Sequence, residues 1–457
     1  MKKILFTLII SGLILGGLGG GCGWSGYGVV QDILHNQLQV SNFKFQIFKW
    51  CFNGLPFVDQ LDTLLDNRIY LVILQNNQEL RPSGGFMGSY AKIRLAPTGL
   101  AEFTVQDIYV PDGQIVGHVD PPIPIQQAFG QGWWKLRDAN WDPDFTVAAP
   151  QITWFFDQGG EKVDGLVAVN LSLVNNLLQV LGEVKTTDYG EEISAQTFYD
   201  LAQKYAEVGF FPGSTQKRDF LGAVGDALLG RIINSSPVEK LKLAKVLWQQ
   251  LKQGEILIWF KDKTLQDVVA QHHWDGSLGN PPAGGDYLYL VETNLGANKA
   301  NCCVSREVSQ EVADGDTKLT IKYTNNNVFA NPMPPIFWGG NYLNYLRIVV
   351  PATASIQSIK VGDKLLLEKP LDFQTGLQED RYQVENRPPV KIVGFWAVVP
   401  AQQPLTVQVN YELPAANSLA ILVKHQPGLG PVPYKLYVDG RLVVDLKLDH
   451  VSKFDLD

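Results

Sequence analysis

The 457-residue chain is too long for a single hydrophobic core and implies two or three domains. A net charge of −8, with no cluster of Lys and Arg, excludes a phosphate-coating nucleic-acid surface. Hydrophobic residues at 45% against 18% charged exclude a disordered chain, and the rich aromatic supply suits sandwich cores and sugar-facing surfaces alike.

At the N-terminus, Lys2 and Lys3 precede an apolar run from Ile4 to Leu18, then Gly19-Gly20-Gly21-Cys22. The lysines favour a cytoplasmic N-tail, with everything after the run outside the cytoplasm. Extended through the glycines to Val30, the run is long enough to cross about 30 Å of hydrocarbon. A retained signal anchor over residues 1–30 is favoured over a lipoprotein signal with Cys22 acylated, and over simple cleavage. Gly19 stands where a lipobox prefers Leu. Cys22, Cys51, Cys302 and Cys303 form no disulfide framework for a chain of this size. The adjacent Cys302 and Cys303 are expected to be two free or buried thiols.

Helical spacing over residues 31–66 (Ile33, Leu34, Leu38, Phe45, Phe48, Phe52, Val58, Leu61, Leu64, Leu65) predicts a helical stalk lying against the body of the protein. Strands follow at Ile69–Gln75, Ser89–Leu95 and Leu100–Val110, with Pro97-Thr98-Gly99 as a hairpin turn. A helix to Phe156, a strand Gly165–Asn170 and a helix through Leu173–Leu181 come next. Three helices are predicted at Ser194–Val208, Lys217–Asn234 and from Ser236-Pro237 onward. Then come strands Glu255–Phe260 and Tyr287–Glu292 around a short helix, Leu265–Ala270. Residues 67–301 therefore read as a layered α/β domain with a mixed central sheet. Residues 302–457 read as an all-β, immunoglobulin-like sandwich of about seven strands: Val304–Val312, Lys318–Tyr323, Tyr345–Val350, Val361–Leu367, Lys391–Val399, Leu405–Tyr411 and Lys435–Val444.

The richest candidate site is the loop Gln75–Ser89 between two core strands. Gln75, Asn76 and Asn77 offer amides, Glu79 an anion and Arg81 a cation, while Gly84 and Gly85 let backbone N–H groups approach a ligand. Arg81 with such a turn would hold phosphate or carboxylate; alternatively it bridges Glu79 or Asp107 in a structural turn. It is no Walker loop, because GK[ST] is absent. A second candidate is Asp138, Asn140, Asp142 and Asp144, which alternate as in a calcium loop. Pro143 and Ala149 occupy the positions where an EF-hand needs Gly and an acid, so that motif is excluded. A looser Mg²⁺ or Ca²⁺ site stands against a structural reading in which an acid caps the next helix and Arg137 pairs with Asp138. His272-His273 lacks a third ligand at useful spacing. No Ser-His-Asp or Cys-His arrangement stands out.

The motifs Q-N-N-x-E-L-R-x-x-G-G-F-x-G-S (Gln75–Ser89), V-P-D-G-Q (Val110–Gln114), L-R-D-A-N-W-x-P-D-F (Leu136–Phe145), V-D-G-x-x-A-V-N (Val163–Asn170) and N-x-G-A-N-K-x-N (Asn294–Asn301) resemble an uncharacterised bacterial family of domain-of-unknown-function proteins. The resemblance implies a membrane-anchored, outward-facing envelope protein and no established reaction. More distantly, the order of strand, Arg-bearing loop, strand, turn and strand ending in Asp107 is similar to the LytR–CpsA–Psr (LCP) phosphotransferases. Those attach glycopolymers from polyprenyl-diphosphate carriers to the cell wall with Mg²⁺. That likeness implies Arg81 and Arg137 on the diphosphate and Asp107, Asp138 and Asp142 at Mg²⁺, with Asp144 a further candidate ligand. Gln106 stands where those enzymes carry an arginine, and Gly84-Gly85-Phe86 replaces their early aspartate. The implied partners are the cytoplasmic membrane and a polyprenyl-linked glycan or cell-wall polymer, not nucleic acid. The competing expectation is a non-catalytic scaffold or glycan-binding protein with Trp133, Trp134 and Trp141 exposed.

Overall fold

The computed structural model describes residues 20–53, 55–112, 117–130, 132–186, 188–207, 216–331, 339–373, 376–414 and 419–456. The chain forms two compact units that alternate along the sequence. The first comprises residues up to Gln75, Met87–Val116 and Asp144–Ser277; the second comprises Asn76–Phe86, Gly117–Pro143 and Leu278–Asp457. This differs from the expected 67–301 and 302–457 division. The Arg81 loop and the Leu136–Pro143 motif both fall in the β-rich second unit.

The first unit is the expected α/β layer. Its strands are β1 (Ile69–Asn76), β2 (Phe86–Ala96), β3 (Gly99–Asp107), β4 (Gly165–Asn170), a small hairpin of β5 (Val184–Lys185) with β6 (Glu192–Ile193), and β7 (Ile256–Phe260). The main sheet has the order β3-β2-β1-β4-β7. It is mixed: β1 and β4 run parallel, while β2/β3 and β4/β7 are antiparallel. β4, apolar up to Asn170 at its end, is buried along its whole length, as a strand covered on both faces must be. The helix Pro237–Lys252 opens on a full capping box between Ser236 and Glu239.

The helical segment expected to lie against the body of the protein packs into the core of the first unit. Helices Gly20–Leu34, Phe43–Cys51 and Leu61–Leu64 put Val29, Ile33, Phe45, Phe48, Leu61 and Leu64 into the same core as Tyr70, Val72 and Val167 of the sheet. Of the expected anchor over residues 1–30, the described part is the start of helix Gly20–Leu34, whose Val29 and Val30 lie in this core. Among the described residues no helix is long and apolar enough to cross a membrane. Residues 1–19, with the apolar run itself, and the Cys22 side chain lie outside the described parts, as do Gly113 and Gln114 of the V-P-D-G-Q motif.

The second unit is a larger sandwich than expected, with two seven-stranded sheets. Its strands are β8 (Asp286–Asn294), β9 (Val304–Ala313), β10 (Asp316–Asn325), β11 (Tyr342–Pro351), β12 (Ser355–Val361), β13 (Lys364–Leu365), β14 (Leu367–Glu368), β15 (Arg381–Arg387), β16 (Val390–Val399), β17 (Pro404–Glu412), β18 (Leu419–Lys424), β19 (Val432–Val438), β20 (Arg441–Leu448) and β21 (Ser452–Leu456). One sheet runs β13-β12-β17-β10-β9-β19-β20, the other β14-β15-β16-β11-β8-β18-β21. Leu346, Ile348 and Phe395 of the second sheet meet Leu319, Ile321 and Val409 of the first in one core.

The expected single strand Lys435–Val444 is instead a hairpin, β19 and β20. Asp439 and Gly440 both take positive φ (48° and 73°), the requirement of a tight two-residue turn. Gly362, at φ 57°, likewise breaks the expected strand Val361–Leu367. Tyr287–Glu292, expected in the α/β domain, belongs to β8 inside a sandwich sheet. Cys302 and Cys303 are bonded to each other, contrary to the expected free thiols, and no described cysteine is a free thiol.

Polar side chains also bind the two sheets. Asp286 of β8 accepts from Gln310 of β9 (2.6 Å) and Tyr411 of β17 (2.7 Å), and Tyr434 of β19 donates to Gln310 (2.7 Å). Complete burial pushes the Asp286 carboxyl up to about 6, against the pull of these donors. A carboxyl raised in the folded state favours folding most below its unfolded value near 4, and that contribution is lost as pH rises toward 6. At neutral pH the ionised group costs about 3 kcal/mol. Urea unfolding of the wild type should therefore show a fall in sandwich stability between about pH 4 and 6 that Asp286→Asn flattens. Parallel pH profiles for the two proteins would refute this assignment.

Candidate functional site

The loop after β1 is built by two local turns. Asn76 Oδ1 accepts from the Gln78 amide (3.1 Å), Glu79 N donates to Asn76 O (3.1 Å), and Gly84 N donates to Arg81 O (2.9 Å). Gly84 sits at φ 129°, and a Cβ on Gly85 would collide with the Asn76 carbonyl and the Asn77 amide. The two glycines let the loop fold back on itself.

That folding turns Arg81 inward. Its side chain is only 2% exposed. Nη2 donates to Glu79 Oε1 (3.0 Å) and Asp138 Oδ1 (3.2 Å), while Nη1 donates to the carbonyls of Leu80 and Asn294. Gln426, also buried, donates to the Arg81 carbonyl (3.1 Å), and Asn294 N donates to Leu80 O (2.9 Å). Burial raises the Glu79 carboxyl above its ordinary value, and the Arg81 cation works against that shift. Arg137 stands beside the same cluster, with Nε 3.8 Å from Asp138 Oδ2 and its side chain 26% exposed. Two guanidinium groups thus converge on one carboxylate. The convergence is that of an internal ion cluster, with the Arg81 face closed to solvent.

The neighbouring motif residues serve the same fastening. Asn77 donates to Gly428 O (3.0 Å) and its carbonyl accepts from Asn301 Nδ2 (2.8 Å). Asn140, fully buried, donates to Ser83 Oγ and to Gly85 O, both at 2.9 Å. Asp142 forms a two-pronged pair with Arg387 (2.9 and 2.7 Å). Asp144 caps the helix Phe145–Gln158 by accepting from the Thr146 amide (2.9 Å). The alternation expected to align Asp138, Asp142 and Asp144 for Mg²⁺ is broken by the 3₁₀ turn Leu136–Asp138. Each acid has its own protein partner. Among the described residues no group of three or more His, Cys, Asp or Glu converges as a metal site.

In the first unit, Asp107 ends β3, accepts from the Tyr109 amide (3.0 Å) and lies 3.8 Å from Lys217 Nζ. Gln75 is next to last in β1, where its Nε2 donates to Asn170 Oδ1 (3.3 Å); Asn170 Nδ2 donates in turn to Glu255 Oε2 (2.9 Å), which also accepts from Ser172 (2.7 Å). This buried chain lies at the C-terminal ends of the two parallel strands, the usual place for a ligand crevice in an open α/β sheet. Sequence reasoning singled out Gln75 alone. The available signal for Asn170 was a polar residue closing an otherwise all-apolar strand.

Residues 66–206 match the sequence profile of a family described as protein of unknown function (DUF4012). No curated protein matches the chain. Solved structures similar to it include a protein from Streptococcus agalactiae (14% identity over 46% of this chain and 74% of that one, TM-score 0.30). A LytR-Csp2A-Psr enzyme from Actinomyces oris is similar at 15% identity over 46% and 75% of the two chains, TM-score 0.27. TagV from B. subtilis is similar at 13% identity over 46% and 81%, TM-score 0.28. The first of these matches, DUF4012, is the family that the sequence motifs resemble.

Removing Arg81 leaves Glu79 and Asp138 buried without their cation. Arg81→Ala should therefore destabilise the second unit by about 3–5 kcal/mol in chemical unfolding. Adding Asp138→Asn should restore part of that loss. A variant that unfolds like the wild type would mean that the cluster is not a fastening. Gly85→Ala should also lower the melting temperature, because the new Cβ runs into the Asn76–Asn77 peptide.

Proposed function

We propose that the chain is a cell-envelope protein, held on the outer side of the cytoplasmic membrane by its N-terminal apolar run, that binds glycan without transferring it. The observation that carries this reading is the closure of Arg81, whose charge is taken up inside the protein by Glu79 and Asp138 and whose side chain is 2% exposed. A diphosphate clamp must present its cation to the ligand, and this one does not.

Trp133 supports the binding half of the proposal. Its indole is 59% exposed, against the habit of large aromatic residues. Lys135 Nζ lies 5.3 Å from the ring centroid, and the His118 ring meets the indole edge-on at 6.2 Å. His118 is itself 2.6 Å from Asp120. A flat aromatic face bordered by donors and acceptors is a combination suited to stacking a sugar ring and hydrogen-bonding its hydroxyls. The other two tryptophans serve the interior: Trp134 donates to Asp138 O (3.2 Å), and Trp141 lies between Tyr345 and the Arg347 guanidinium.

The transferase reading keeps one observation, the partly exposed Arg137 sharing Asp138 with Arg81. A thermal-shift titration separates the two readings. Cell-wall glycan fragments at about 100 times their dissociation constant should stabilise the binding unit by about 2.7 kcal/mol, and Trp133→Ala should abolish the shift. A short-chain prenyl diphosphate with Mg²⁺ should produce none. A Mg²⁺-dependent shift with the diphosphate, lost in Arg137→Ala, would overturn the binding reading in favour of transfer.

A further inference from the structure

Helix Phe43–Cys51 is apolar on two opposite faces. Phe45 and Phe48 point into the core of the first unit, each 2% exposed. Phe43 and Trp50, seven residues apart and so on one stripe, point outward at 76% and 81% exposed, with Ile47 half-buried between them. Lys44 and Lys49 flank the stripe, paired with Asp32 (2.5 Å) and Asp62 (3.4 Å). No folding requirement explains two fully projected aromatic rings on a helix that already has a buried face.

The helix packs on Gly20–Leu34, and the approach is close: a Cβ on Gly28 would lie 2.6 Å from Lys44 Cδ. Gly20–Leu34 begins two residues after the uncharged apolar run Ile4–Leu18 ends. The outward stripe therefore belongs to the part of the fold that the run leads into. It is also small. Two aromatic side chains on two helical turns fall far short of the roughly 800 Å² per partner that a stable protein interface buries. Single Trp and Phe residues at a bilayer's headgroup level need no such area, because each gains by burying its ring at the lipid boundary.

We propose that Phe43, Ile47 and Trp50 form a lipid-contact surface that seats the first unit on the headgroup region of the bilayer. The inference rests on the membrane placement proposed above, and the experiment reads the two separately. The full chain is reconstituted into phosphatidylcholine vesicles with and without brominated acyl chains, and vesicle flotation and tryptophan emission are recorded for wild type, Trp50→Phe and Phe43→Ser. The expected result is that all three proteins float. Brominated lipid should quench the wild type, and Trp50→Phe should lose the larger part of that quenching with an unchanged far-ultraviolet spectrum. Phe43→Ser should weaken the quenching while keeping Trp50.

Equal quenching in wild type and Trp50→Phe would overturn the lipid contact while leaving the membrane placement standing. Failure of the wild type to float would overturn both. A Trp50 emission indifferent to brominated lipid, in a chain that sediments as a dimer, would identify the stripe as a contact between copies and overturn the proposal.

Discussion

The second unit depends on the cluster of Arg81, Glu79 and Asp138. A guanidinium removed from water must be paired and hydrogen-bonded, because an isolated buried charge costs far more than the packing of any one side chain returns. That requirement fixes the path of the loop after β1. The loop must bring Glu79 to Arg81, Leu136–Pro143 must supply Asp138, and the end of β8 must present the Asn294 carbonyl. Asn140 and Gln426 then satisfy the backbone of the same loop. Three sequence-distant segments are thereby fastened within one unit, which is why the chain's units alternate along the sequence rather than follow one another.

The sandwich applies the same rule between its sheets. Glu292 of β8 and Arg306 of β9 form a two-pronged pair (2.7 and 2.9 Å), and Tyr342 of β11 donates to Glu292 (2.6 Å). Burial opposes the Arg306 charge, but the Glu292 carboxylate outweighs it and holds the group protonated above its ordinary range. With the Asp286–Gln310–Tyr411 link, this makes two polar ties between the faces of an otherwise apolar core. Such ties add little net stability over apolar packing, yet each penalises any register that leaves a charge unpaired. Arg347 is the contrasting case. Burial lowers it to about 10, and it rests on the Trp141 ring at 4.2 Å and on Thr293 Oγ1 at 3.2 Å.

Together these interactions account for the strongest sequence motifs without invoking chemistry. Asn77, Glu79, Arg81, Gly84, Gly85, Asp138 and Asn140 all act in holding loops to the second unit. Outside the fastening lie the exposed Trp133 beside His118 and Lys135, and a buried polar chain from Gln75 to Asn170 and Glu255.

The sequence alone determined the element types wherever a period ran long enough. The mixed α/β sheet followed from the buried runs Ile69–Gln75 and Gly165–Asn170, the capped helix after Ser236 from its cap residues, and the β-rich C-terminal region from its alternating strands. It also identified the motif residues that converge, because Arg81, Glu79 and Asp138 do meet. Only the tertiary structure decided what that convergence is for. Exposure cannot be read from a motif, and a cation among glycines looks the same whether the loop opens to solvent or folds inward. Unit boundaries escaped the sequence for a related reason. Pairings between residues 81 and 138, or between 81 and 294, span separations that no local period reports, and they assign a loop after β1 to the second unit's core.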